Sequence, residues 1–176
     1  MDFMIKTKRL ELIPLNVTLL NSTHEYATDL DVTKYMMFLP NKTIEETKNF
    51  LEYVESCWKN LETNNIKTLE CAILYQGIHI GAVSIVIENE IAEMGWILNK
   101  NYQKKGFMYE AASALKEYGI NHYNIRRIIA HCDINNIPSY RLMEKLGMIR
   151  TNVQERTYND NRGKSMEYEY QLIIRE

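Results

Sequence analysis

The sequence predicts a mixed α/β fold: a mostly antiparallel sheet with a central parallel strand pair, flanked by helices. Two observations carry this. Hydrophobic spacing changes from helical over 43–61 to alternating over 68–98, where three strand-like runs are separated by two-residue turns. An amphipathic helical stretch, 107–119, then separates the last of those runs from another strand-like run at 126–134. Such a strand, helix, strand unit implies a right-handed crossover and a parallel pair. No internal repeat or linker interrupts the 176 residues, so one domain, 1–176, with a continuous sheet is expected.

In chain order, "RLELIPL" (Arg9 to Leu15) alternates leucine and isoleucine with other residues and is closed by Pro14, which reads as a first strand. A loosely helical stretch follows to about Met37. "PNKTIEETKNFLEYVESCWKNL" opens with Thr43 and Glu46 at capping-box spacing and sets Leu51, Val54, Trp58 and Leu61 on one helical stripe. "TLECAILY", the turn "QG", "IHIGAVSIVI", the turn "EN" and "EIAEMGWIL" form an antiparallel meander. In the next helix Met108, Ala111, Ala112, Leu115, Tyr118 and Gly119 make an apolar face whose small members allow close approach to a sheet. "RRIIAHCDI" is a strand, "PSYRLMEKLG" a helix stopped by Gly147, and "MIRTNVQER" and "SMEYEYQLIIRE" are strands separated by the polar loop "NDNRGKS". The expected order is β, α, α, β, β, β, α, β, α, β, β.

Composition narrows the function classes. With 21 basic and 23 acidic residues the chain has no global charge that would draw nucleic acid, and its mild acidity suits a cationic acceptor. The longest apolar run, Ile80 to Ile87, is too short to span a bilayer, and "MDFMIKTKRL" lacks a signal-peptide core, so no membrane association and a cytoplasmic location are expected. Cys57, Cys71 and Cys132 are widely spaced, and the four histidines have no metal-site spacing, so neither a disulfide framework nor a metal is expected.

Chemistry concentrates in "NYQKKGFMYEAASAL" (Asn101 to Leu115). Lys104 and Lys105 precede Gly106 at a helix N-terminus, so backbone donors, two ammonium groups and the positive end of a helix dipole converge where an anion would bind. The glycine spacing is neither that of a dinucleotide fold nor that of an NTPase P-loop.

The segment "WILNKNYQKKGFMYEAASALKEYGI" resembles the acyl-CoA-binding core of the GNAT superfamily, [Q/R]-x-x-G-x-[G/A], with Gln103 first, Gly106 fourth, and Met108 where glycine or alanine is usual. "RIIAHCDINNIPSYRLMEKLGMIR" is similar to the superfamily's next block, matching at Asp133, Asn136, Ser139 and Glu144 to Met148. "KTKRLELIPL" and "VTKYMMFLPNKTIEETKNFL" resemble the opening of the branch that contains the ribosomal-protein N-terminal acetyltransferases, so the likeness covers nearly the whole chain. It implies the GNAT fold, a parallel pair splayed around acyl-CoA, and an acetyl-CoA-dependent N-acetyltransferase acting by direct transfer in a ternary complex.

On this resemblance the pantetheine arm pairs with the strand edge at Ile97, Leu98 and Asn99. The pyrophosphate meets the turn formed by Gln103, Lys104, Lys105, Gly106, Phe107 and Met108, and the Asn136 side chain holds the arm. Ser139 is the expected proton donor to the departing thiolate, with the neighbouring Tyr140 as the alternative. Glu93, in a strand where Glu93, Gly95 and Ile97 share one face, is the candidate base, acting directly or through water. The acceptor is a primary amine, either a protein N-terminus such as that of a ribosomal protein or a small amine. The helices within Asn16 to Leu61 and the loop Asn159 to Ser165 are expected to shape its site. A non-catalytic acyl-CoA-binding sensor or interaction module is the rival reading. A homodimer paired through a strand edge or the C-terminal hairpin is a further expectation.

Overall fold

The structure, a computed structural model, describes residues 3–37, 41–158 and 162–174. Its strands are β1 (Ile5–Lys6), β2 (Leu10–Pro14), β3 (Lys67–Tyr75), β4 (Ile78–Glu88), β5 (Ile91–Leu98), β6 (Arg127–Asp133), β7 (Ile149–Thr157) and β8 (Lys164–Ile173). The helices are α1 (Leu20–Ala27), α2 (Leu30–Thr33), α3 (Ile44–Lys59), α4 (Phe107–His122) and α5 (Ile137–Lys145). All eight strands join one sheet in the order β1-β2-β3-β4-β5-β6-β8-β7, antiparallel except for the pair β5 and β6. The predicted fold class and central parallel pair are both present.

Three local differences have physical causes. A two-residue strand, β1, precedes the expected first one; it is too short to show alternation, and the Thr7 N–H turns it back by bonding Leu10 O at 2.9 Å. The loosely helical stretch divides, because Asp29 adopts extended backbone and its carboxylate accepts from the N–H groups of Asp31 and Val32, starting α2 afresh. The turn after β4 falls at Asn89 and Glu90, one residue later than expected, since asparagine tolerates the left-handed conformation that this two-residue turn requires (Asn89 φ 55°).

Helix α3 starts as its sequence suggests. Thr43 accepts from the Glu46 N–H at 3.3 Å, and the Glu46 carboxylate reaches back one residue further than in the standard box, to Lys42 N–H at 2.7 Å. Leu51 and Val54 bury against Ala72 and Ala82, forming a small core between α3 and one face of the sheet. The main core fills the opposite face, where Ala111, Ala112 and Leu115 of α4 meet Ile85, Ala92, Ile128 and Ala130. Gly119 allows this approach: a Cβ there would lie 2.9 Å from Ile85 Cδ1. Helix α5 covers the far end of that face through Met143, beside Tyr170 of β8.

Candidate active site

Strands β5 and β6 pair over three rungs only, Ile91 with Arg127, Ala92 with Ile128 and Glu93 with Ile129. Beyond Glu93 they run on to Leu98 and Asp133 without pairing, which leaves a slot in the middle of the sheet. On its other side β5 stays tied to β4. The Asn99 N–H bonds Ile80 O at 2.9 Å, so in this register Ile97 and Asn99 turn their main-chain groups towards β4 while Trp96 and Leu98 turn theirs into the slot. Of the three residues expected to meet an extended ligand, Leu98 therefore offers free backbone. Its carbonyl already accepts from the Gln103 side chain at 3.1 Å. Trp96 is the residue missed, although the alternation along "EMGWIL" contained it.

The slot leads to the lysine–glycine turn. Both Lys104 (φ 62°) and Gly106 (φ 78°) are left-handed, and Gly106 stands immediately before α4. The amides of Lys104 to Met108 make no hydrogen bond among the described residues, so five donors are gathered at the N-terminus of a 16-residue helix. This suits a diphosphate. The Lys105 ammonium is used internally, donating to Asn101 O at 2.8 Å, whereas the Lys104 ammonium has no partner among the described residues. Met108 packs against the main core, so its departure from the usual small residue leaves its N–H free.

Arg9 locks this turn from outside. Its guanidinium donates to Lys105 O at 3.0 Å and to Glu110 at 2.6 Å, and it lies 4.6 Å from the centroid of the buried Phe107 ring. The Thr7 hydroxyl and the Arg9 N–H complete the grip on Glu110, at 2.6 and 2.7 Å. Sequence reading placed Arg9 in a strand and gave it no such task, because its partners lie about a hundred residues away.

Glu93 and Ser139 face opposite sides of the sheet at the start of the slot. The Glu93 side chain is 55% exposed, and its carboxylate is 3.0 Å from His131 Nδ1; the other ring nitrogen is 3.4 Å from Glu169. The Glu93 contact is the main cause of a His131 imidazole held above its ordinary 6.5, offset in part by burial. Replacing Glu93 by glutamine is expected to move the His131 titration downward, as an NMR pH series of the imidazole would show; an unmoved midpoint would mean that this contact does not form in solution. His131 was not singled out from the sequence, where an isolated histidine in a strand carries no signal.

Ser139 is 7% exposed in the first turn of α5, and its Oγ accepts from the Trp96 indole N–H at 3.2 Å. Tyr140 points elsewhere, edge-on to Tyr168 with ring centroids 5.6 Å apart. Asn136 occupies the N-cap of α5, yet its side chain makes no capping bond and has no partner among the described residues, so its amide is free for a ligand. Cys132 is buried and its thiol pushed up to about 11 by desolvation, which fits packing.

Of the segments expected to shape an acceptor site, 38–40 and 159–161 lie outside the described residues. Two of the described parts meet. Arg162 donates to Lys34 O and Met36 O, each at 2.8 Å, and Arg156 reaches Met37 Sδ at 3.1 Å, which ties the stretch after α2 to the β7–β8 hairpin.

The acetyltransferase (GNAT) domain family matches residues 9–149. The chain belongs to the GNAT acetyltransferase family. It is 36% identical over 150 residues to an uncharacterized N-acetyltransferase, YnaD, of Bacillus subtilis (strain 168), covering 83% of this chain and 82% of that protein. A solved GNAT-family acetyltransferase from Bacillus anthracis is 30% identical with a TM-score of 0.78, covering 97% and 98% of the two chains. A ribosomal L7/L12 α-N-protein acetyltransferase, RimL, solved with coenzyme A, has a TM-score of 0.83 at 19% identity, covers 98% of each chain, and so shares the fold. This GNAT protein is accordingly an acetyltransferase whose acetyl donor is acetyl-CoA. Among its described residues no group of histidine, cysteine and acidic side chains could hold a metal ion.

Proposed function

We propose that this GNAT enzyme transfers the acetyl group directly from acetyl-CoA to a primary amine, either a protein N-terminal α-amine or a small amine, with Glu93 as base and Ser139 as acid. The arrangement that carries the reading is a slot with a carboxylate on one side and a buried hydroxyl on the other, opening towards five unpaired amides. The Lys104 to Met108 amides would hold the diphosphate, Leu98 and Trp96 backbone and the Asn136 amide the pantetheine arm. The donor supplies an activated thioester carbonyl.

The chain's own residues then have separable tasks. Glu93, Glu167 and Glu169 share one face of the sheet, with Arg156 3.6 Å from Glu167 and His131 between the other two, and three carboxylates beside these groups favour an approaching ammonium. Glu93 takes a proton from the amine, which must be neutral to attack. Ser139, on the opposite side, gives a proton to the departing sulfur. No cysteine has a setting for an acyl-enzyme: Cys71 is fully buried, Cys57 is a buried residue of α3, and desolvation holds the Cys132 thiol at about 11.

The test is thiol release from acetyl-CoA across a panel of peptides with free N-termini, polyamines, amino acids and aminoglycosides. Turnover with at least one primary amine is expected, with N-acetylation confirmed by mass. Glu93→Gln should lower kcat roughly 100-fold or more, the usual scale for losing a general base. A Glu93→Gln enzyme as fast as the parent would remove Glu93 from the mechanism and leave the family assignment intact.

A further inference from the structure

We infer that Trp96 is a positioning residue for Ser139, its indole N–H holding Oγ so that the serine hydrogen stays available for the departing thiolate. The inference deepens the reading of Ser139 as proton donor and rests on it. Trp96 lies three residues past the last β5–β6 rung, on the half of β5 that has parted from its neighbour. Its bond to Ser139, 3.2 Å long, spans the slot and is the hydrogen bond that joins this free half of β5 to α5 among the described residues.

The chemistry of the two groups sets the direction. An indole nitrogen only donates, whereas a hydroxyl has one hydrogen to give and two lone pairs that accept. The Trp96 bond therefore occupies a lone pair and leaves the hydrogen to be given to another group, here the Cys132 sulfur. Donation to Oγ also stabilises the negative charge that builds on the oxygen as its proton leaves. Without it, a serine in the first turn of a helix turns readily to nearby main-chain carbonyls, a bond that would consume the hydrogen. The Cys132 sulfur is a weak acceptor, so the departing thiolate, which is charged, can take its place. Tyr140, next in sequence, makes no hydrogen bond to Ser139 and packs against Tyr168.

In the transfer, the C–N bond forms as the C–S bond breaks. The amine's proton passes to Glu93 and the Ser139 proton passes to sulfur to give the neutral thiol; Glu93 then releases its proton to water and the serine oxygen recovers one, so no net proton is gained or lost. Trp96 exchanges nothing and acts only by holding Oγ.

Four proteins test this: the parent, Trp96→Phe, Ser139→Ala and the double variant, each checked for a parental melting curve. Thiol release is measured with the fastest amine of the panel and, in single turnovers at high enzyme concentration, with water as acceptor. Trp96→Phe keeps a ring and removes the N–H. It should lower kcat roughly 3- to 10-fold, the scale of one hydrogen bond, with the KM for acetyl-CoA within about twofold. The alkaline limb of its kcat–pH profile should move upward, because a less stabilised alkoxide makes a weaker acid. The double variant should be no slower than Ser139→Ala. Losses that multiply would overturn the positioning role, as would a Trp96→Phe enzyme that binds acetyl-CoA more tightly at unchanged kcat, since the indole would then merely cover the slot. Ser139→Ala at the parental rate overturns the serine itself, a failure distinguishable from that of the tryptophan.

Discussion

Gly106→Glu is expected to weaken acetyl-CoA binding about 100-fold, the scale of losing one or two charge-assisted hydrogen bonds together with a favourable helix end. Two effects combine. The position has φ +78°, where an L side chain is strained, and a new Cβ would lie 3.4 Å from Nη2 of the Arg9 guanidinium, which pins the turn through Nη1. The added carboxylate also competes for the five free amides and repels the diphosphate. Calorimetric titration of acetyl-CoA into parent and variant checks this, with a melting curve to show that the variant folds. Undiminished affinity would place the diphosphate elsewhere and remove the turn from the site. Gly106→Ala separates the two effects, since it carries the strain without the charge.

The second large effect concerns stability and pH. Desolvation pushes the Glu70 carboxyl from its ordinary 4.5 up to about 7, against a hydrogen bond with Ser84. Burial pushes the His79 imidazole the other way, from 6.5 to about 4; its Nε2–H donates to Gly81 O at 3.0 Å and leaves Nδ1 to accept from the Ser22 hydroxyl at 2.8 Å. The raised carboxyl favours the folded state below 4.5, and that contribution is lost as pH rises towards 7. The depressed imidazole does the reverse: its contribution is present above 6.5 and lost as pH falls towards 4. Between 4.5 and 6.5 the two slopes oppose each other.

Glu70→Gln removes one of them. At pH 8 the variant should be more stable than the parent by about 3 kcal/mol, roughly 6–10 °C in Tm for a chain of this size. Its Tm should also climb between pH 4.5 and 6.5, where that of the parent is flatter. Melting curves across pH 4.5–8.5 check both statements. Equal melting temperatures at pH 8 would mean that the Glu70 carboxylate is solvated in the folded protein.

What the sequence disclosed and what it withheld divide along range. Local signals were legible: Thr43 and Glu46 start α3, Gly147 (φ +87°) ends α5, and the alternation through "EMGWIL" sets Glu93 and Trp96 on opposite faces. So was the parallel pair, which a strand, helix, strand unit implies, while the splaying that opens the slot was an expectation from the GNAT likeness. The contacts that finish the site were not. His131 meets Glu93 across 38 positions, and Arg156 meets Met37 across 119, and no spacing rule connects residues so far apart. Ser139 and Tyr140 could not be separated by pattern alone, and their contacts differ in ways that no pattern shows, one bonded to Trp96 and the other packed on Tyr168.

The clasp of Arg9 and Thr7 on Glu110 has a consequence for the order in which the molecule matures. It closes a loop of about a hundred residues, and contacts of such separation form late, after the meander and α4, whose contacts are nearer in sequence. The lysine–glycine turn receives its last restraint, the bond from Arg9 to Lys105 O, in that same late event. A chain whose first strand has not yet docked can thus have most of its core in place while the diphosphate turn is still unrestrained. If acetyl-CoA binds this turn as proposed, it would favour chains that have completed their assembly.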